Sequence, residues 1–192
     1  MHRYAIIGFG SLLWDLDTLR PQVVGPWEYY TGPILPLEFS LVSEKRNRAL
    51  ALDIDLEHGT PCPTCIIQSR RNTVAEAVID LAARERAPIK IIGFYDRDSG
   101  DGRSHSELIL EQIRNWVESS PWDGAVWTDG ASNFQTVTGI EFSVAGACEY
   151  LRSLSDASLV EAKRYIENAP DRVDTPLRRA LAQESWWRNL PS

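Results

Sequence analysis

Short apolar runs closed by glycine or turn residues fill the first half of the chain. Helical periodicity takes over in the last third. Arg3 to Phe9 is an apolar run ended by glycine, which predicts a buried strand, and Leu37 to Ser43 predicts a second. From Ala49 to Leu56, residues Leu50, Leu52, Ile54 and Leu56 alternate with Ala51, Asp53 and Asp55, the pattern of a half-buried strand. Glu57-His58-Gly59 predicts a turn, with Thr64 to Ser69 returning as the partner strand of a hairpin. Thr73 with Glu76 forms a capping box, and the helix behind it runs to about Arg86, because Pro88 disfavours helical geometry at Ala87. Ile89 to Tyr95 predicts a further buried strand, and Asp98 to Arg103 a polar, glycine-rich loop, a candidate mobile lid. Ser104 with Glu107 predicts a second capping box, before a helix whose apolar stripe holds Leu108, Ile109, Ile113, Trp116 and Val117. Gly124 to Trp127 and Phe134 to Thr138 are short strand candidates. Three helices follow: one capped by Ser143, one starting at Ser158 with Glu161, and one opened by Thr175-Pro176 and ending near Trp186-Trp187. Strands early and helices late imply an α+β protein, with helices packed around a mixed barrel or sheet.

Composition narrows the class. The 192 residues, 43% hydrophobic and 24% charged, suit one globular domain spanning residues 1–192, whose part from about 143 onward is helical. The net charge of −7 sets most of the surface against a phosphate backbone, so no nucleic-acid partner is expected. The longest basic patch is Glu44-Lys45-Arg46-Asn47-Arg48. No apolar run approaches membrane-spanning length, so no membrane partner is expected either. The stretch Tyr4 to Trp14 holds Gly8, Gly10 and Ser11 and lacks a small-residue cleavage site, which favours a first strand and loop over an export signal. Three cysteines without a disulfide framework then point to the cytoplasm.

Three places are candidates for chemistry. In Gly8-Phe9-Gly10-Ser11-Leu12-Leu13-Trp14, glycines allow positive φ and expose N–H groups suited to a carboxylate or phosphate. A dinucleotide fingerprint fails there, since Leu13 stands where a third glycine is needed, and a plain tight turn is the bland alternative. On the helix after Thr73, Glu85 falls about 20° from Val74, inside the apolar stripe, whereas Arg84 falls about 80° from Val74 on the other side, off the stripe. An inward carboxylate is partly desolvated, as a general acid/base requires; the alternative is a glutamate that turns to water or pairs with an arginine. Cys62 and Cys65 form one C-x-x-C, open to a thiol or zinc role or to two small semi-buried residues in a turn. His2, His58 and His105 show no spacing that supports a hydrolytic triad. The tryptophans, Trp116, Trp122, Trp127, Trp186 and Trp187 among them, read as core or groove lining, and Trp186-Trp187 also as a possible oligomer contact.

The loop Gly8-Phe9-Gly10-Ser11-Leu12-Leu13-Trp14 resembles the glycine–tyrosine–glycine–serine–leucine loop of the gamma-glutamylcyclotransferase superfamily, nearest to its ChaC-type branch. Leu81-Ala82-Ala83-Arg84-Glu85 resembles the helix end that carries the family's catalytic glutamate. Phe39 to Ser43 resembles a strand ending near the site, and Glu149-Tyr150-Leu151 a late family helix. Phe9 stands where the family has tyrosine, and Arg46 and Arg48 are loose equivalents of its arginine–glycine signature. The resemblance implies a mixed β-barrel with surrounding helices and a helical C-terminal extension. It also implies release of pyroglutamate from a gamma-glutamyl peptide or amine, a small-molecule substrate. Glu85 would be the catalytic acid/base, Phe9, Gly10, Ser11, Leu12, Ser43 and Arg46 would bind substrate, and no metal or organic cofactor is required. A small-carboxylate-binding module of the same fold, without turnover, is the alternative that Phe9 favours.

Overall fold

A computed structural model describes residues 2–191 of the chain. They form two compact units, residues 2–35 with 63–130 and residues 36–62 with 131–191. The strands are β1 (Tyr4–Gly8), β2 (Val23–Glu28), β3 (Ile34–Ser43), β4 (Ala49–Ile54), β5 (Thr60–Pro63), β6 (Cys65–Ser69), β7 (Ile92–Asp96), β8 (Gly102–Arg103) and β9 (Gly124–Thr128). The helices are α1 (Val74–Glu85), α2 (Glu107–Glu118), α3 (Phe134–Thr138), α4 (Val144–Ser153), α5 (Asp156–Asn168), α6 (Pro176–Gln183) and α7 (Ser185–Arg188). Both sheets and the helices around them make the α+β class plain.

The first unit is built on a six-stranded sheet in the order β2-β6-β1-β9-β7-β8. β1 and β9 run parallel, with Tyr4 opposite Gly124 and Ile7 opposite Trp127, while β6 and β7 flank them antiparallel. Alternation along the strands gives the sheet two faces. Ile6, Val126 and Ile92 meet Ala77, Val78, Leu81 and Ala82 of α1 in one core, joined by Leu12 and Leu19 from the segment after β1. The opposite face carries Tyr95, whose hydroxyl donates to Glu118 on α2 at 2.7 Å, and Trp127, whose ring covers Gly93 so closely that a Cβ there would clash. The capping box at α1 forms as expected: Thr73 accepts from the Glu76 N–H, and Arg86 ends the helix in the left-handed region.

The second unit holds a three-stranded sheet in the order β4-β3-β5 together with α3 to α7. α5 packs on β4, and the Phe39 and Tyr165 rings meet edge to face at 6.3 Å. The last four helices therefore belong to a unit with its own sheet rather than forming an extension. Thr175 caps α6, with Pro176 at its first position.

Several expectations change. Each sheet is open, edged by β2 and β8 or by β4 and β5, and no closed barrel forms among the described residues. The hairpin of residues 49–56 with 64–69 does not form, because Thr64 turns the chain from one sheet to the other: its hydroxyl donates to Pro33 O at 2.7 Å, and β6 then pairs with β1 and β2. β4 has no solvated side; Ala49–Ile54 are all buried, Asp53 included. Phe134–Thr138 is helical rather than a strand, stopped by Gly139 at φ 79°. The candidate lid is a short β7–β8 hairpin, with Phe94 opposite Arg103 and the Asp96 N–H on Asp101 O. Residues 89–91 are a turn of 3-10 helix before β7, and α5 is capped three residues earlier than expected, by Ser155.

Candidate functional site

Parallel neighbours leave a sheet at the same edge, and the crevice outside the carboxyl ends of such strands is where open α/β sheets hold ligands. β1 ends at Gly8 beside the end of β9 at Thr128, so the Gly8–Trp14 loop starts at that edge. Neither Gly8 nor Gly10 has a positive φ; Gly10 sits at φ −126°, ψ −136°. Gly8 is required for a different reason: a Cβ there would lie 2.6 Å from the Trp27 ring, which covers it. The Trp27 indole N–H is buried without a hydrogen-bond partner among the described residues.

Past Gly10 the chain makes a turn of 3-10 helix, Ser11–Leu13, in which Leu13 N–H donates to Gly10 O and Asp15 N–H to Ser11 O. Phe9, Gly10, Ser11 and Leu12 are buried. Among the described residues, no hydrogen bond takes the N–H groups of Gly10, Ser11 or Leu12. These are the donors that the start of a helical turn leaves unmatched, and buried N–H groups without partners are rare in native structures.

α1 closes the site from one face of the sheet. Its last turn places Glu85 with a side chain only 11% exposed, in keeping with its position on the apolar stripe. Arg84, expected off that stripe, is the more buried of the two at 4%. Its Nη1 donates to Glu85 Oε1 at 2.6 Å, its Nη2 to Ser11 Oγ at 3.2 Å, and Nε and Nη2 both to Asp15 O. One guanidinium thus ties the loop to the carboxylate, and the paired state of Glu85 is one of the alternatives its spacing left open. No periodicity argument finds Arg84, because its length lets it turn back under the loop from off the stripe.

A second polar cluster sits at the same edge and has no signature in the sequence. Asp129, next after β9, is buried and accepts from Trp127 Nε1 at 2.8 Å, Ser104 Oγ at 2.8 Å, His105 Nδ1 at 3.0 Å and the His105 backbone N–H. Burial acts to raise its pKa, but the donors from His105, Trp127 and Ser104 outweigh it and hold the carboxyl below its ordinary value. Ser104 therefore serves Asp129 rather than capping α2, which starts after Ser106 without a side-chain cap.

Ser43 and Arg46 lie in the second unit. Ser43 is buried at the end of β3. Arg46 donates to Glu161 Oε1 at 3.0 Å and stacks over the Tyr165 ring at 4.6 Å, both on α5. Cys62, Cys65 and Cys148 are buried free thiols, and burial pushes all three pKa values up, opposite to what a reactive thiolate needs. No group of three or more metal-ligating side chains occurs among the described residues, and no helix there is long and apolar enough to cross a membrane. Comparison with known protein families, curated proteins and solved structures finds no match to this chain.

Proposed function

We propose that the protein is a cyclotransferase of the gamma-glutamylcyclotransferase-like fold. It releases pyroglutamate from a gamma-glutamyl peptide or amine, in a cytoplasm that keeps its three thiols reduced. The observation that carries this reading is the Arg84 bridge, which joins Ser11 of the glycine loop to the Glu85 carboxylate. Unmatched N–H donors and an inward carboxylate then belong to one site.

The reaction is intramolecular. The substrate's α-amine attacks its own γ-carbonyl, a C–N bond closes the five-membered ring, and the amide bond to the leaving amine breaks. The substrate itself brings the reacting groups together, so the protein has to orient it and move protons. The Gly10, Ser11 and Leu12 N–H groups hold the substrate and stabilise the oxyanion that forms on the carbonyl. Glu85, oriented by Arg84, takes the proton that the attacking amine loses and passes it to the leaving amine as the C–N bond breaks.

The test is pyroglutamate release from glutathione, gamma-glutamyl dipeptides and gamma-glutamyl amines. Glu85→Gln is expected to lower kcat by at least about 100-fold, the usual worth of a general base. No release from the whole panel overturns the reading. Full activity in Glu85→Gln overturns the role of that residue.

Two observations favour a second reading, a binding module for a small carboxylate. Phe9 offers no hydroxyl, and Glu85 is already held by an ion pair. A substrate that raises the melting temperature without giving product would support it.

A further inference from the structure

Arg84 has one hydrogen-bond donor to spare. A guanidinium carries five N–H groups. Nε–H and one Nη2–H go to Asp15 O, the other Nη2–H goes to Ser11 Oγ, and one Nη1–H goes to Glu85 Oε1. The second Nη1–H meets no acceptor among the described residues. Ser11 has a donor to spare as well. Arginine only donates, so the serine oxygen accepts in their 3.2 Å bond, and its own hydroxyl proton meets no acceptor among the described residues. Both groups lie deep: Ser11 is 7% exposed and the Arg84 side chain 4%. Buried donors without acceptors are costly unless a ligand or a water meets them.

The charges beside these donors narrow the ligand. Arg84 Nη1 and Glu85 Oε1 are 2.6 Å apart, so a cation and an anion are presented side by side. A phosphate would bring two negative charges against Glu85. An α-amino acid head brings a carboxylate and an ammonium on one carbon, an opposite charge for each member of the pair. Arg46, the arginine expected to bind substrate, spends its guanidinium on Glu161 and the Tyr165 ring instead.

We propose that Arg84, together with the Ser11 hydroxyl, anchors the α-carboxylate of the substrate and restricts this site to compounds with a free α-amino acid head. The inference rests on the cyclotransferase reading and narrows its substrate class. Arg84 Nη1 and Ser11 Oγ donate to the carboxylate. The α-nitrogen, borne on the same carbon, is then directed at Glu85, which takes its proton. The N–H groups of Gly10, Ser11 and Leu12 remain for the oxyanion on the γ-carbonyl. The ion pair that holds Glu85 is thus part of recognition and stays intact when substrate binds.

The experiment measures methylamine and cyclic product from gamma-glutamyl methylamide, and from the same compound with its α-carboxylate converted to a carboxamide. In wild type, kcat/KM is expected to be about 100-fold higher for the carboxylate, mostly through KM, within the range for hydrogen bonds to a charged group. Ser11→Ala is expected to lower kcat/KM for the carboxylate about 10-fold and to leave the carboxamide within about 3-fold. Arg84→Lys is the second variant, with melting curves as the check that both fold. A displaced Glu85 slows both compounds alike, so the ratio between them isolates the anchor; in Arg84→Lys it is expected to fall below about 10. A wild-type ratio under about 3, or a ratio that both variants preserve, overturns the anchor while the cyclotransferase reading stands. A wild-type protein that gives cyclic product from neither compound overturns both.

Discussion

Each unit buries a carboxylate completely enough to make it costly, and the two titrate in opposite directions. Asp129, at the edge of the six-stranded sheet, is 5% exposed, and its pKa is lowered. Glu38, on β3 of the second unit, is 0% exposed, and its pKa is raised. Burial pushes both upward and the donors decide the outcome. Asp129 takes two donors from His105, one from Trp127 and one from Ser104. Glu38 takes the Phe39 and Leu177 N–H groups and the Thr175 side chain, which do not offset its desolvation, and the charge of Asp55 adds to the rise. Its cross-strand partner in the β3–β4 ladder is Asp53, itself buried. In the first unit the donors thus win, and the acid is held below its ordinary pKa. The second unit's acid receives the start of α6 through the Leu177 N–H.

The comparison breaks most visibly at Arg84. Replacing it with alanine removes a buried guanidinium from Ser11, Asp15 and Glu85 at once. Breaking one side of a buried pair costs about 3–5 kcal/mol, so Arg84→Ala is expected to lower the unfolding free energy by about 4 kcal/mol. A urea titration measures it. A loss under about 1 kcal/mol would show that the loop does not depend on this bridge.

The two carboxylates sharpen the comparison through pH. For Asp129 the folded pKa lies below the ordinary 3.8, so its contribution is present above that value and is lost as the pH falls through the folded pKa. For Glu38 the folded pKa lies above 4.5, so its contribution is present below that value and is lost as the pH rises through the folded pKa. The unfolding free energy of wild type minus Asp129→Asn is expected to fall on acidification below about pH 3.8. The difference between wild type and Glu38→Gln is expected to fall on raising the pH above about 4.5. Neither slope exceeds about 1.4 kcal/mol per pH unit, the limit for one proton. Slopes of the same sign would refute the opposition.

What the sequence discloses of this arrangement follows the range of the interactions. Local signals are legible: the Thr73–Glu76 box, the Ser143 cap, Pro176 at the start of α6, and the glycine-ended strand β1. The inward position of Glu85 is also local, one helix face read by rotation. Contacts that join distant segments are not legible. Nothing in the spacing of His105 and Asp129, 24 residues apart, distinguishes them from any other polar pair. Ser104 and Glu107 match a capping box, but Ser104 Oγ accepts the Ser106 N–H while donating to Asp129, and the helix starts after Ser106 instead. Likewise Phe134–Thr138 has β-branched and aromatic residues suited to a strand, yet Asn133 bonds both the N–H and the C=O of Val42, and the segment continues as a helical turn.

The smallest effect is expected at Arg46, and the reason is the contrast with Arg84. Both arginines pair with a glutamate, but their removal leaves different situations. Glu161 also accepts from Arg164 through both of its oxygens, at 2.7–3.0 Å, so Arg46→Ala leaves that carboxylate still neutralised. The pair is also more open than the Arg84–Glu85 pair, at 13% and 19% side-chain exposure against 4% and 11%. What disappears is mainly the stacking on Tyr165, worth about 0.5–1 kcal/mol at a partly exposed site. Arg46→Ala is therefore expected to lower the unfolding free energy by about 1 kcal/mol. In the same urea titration, a cost as large as that of Arg84→Ala would mean that the second unit, too, hangs a buried network on one guanidinium. The two units would then differ in where their acids titrate but not in how they hold charge.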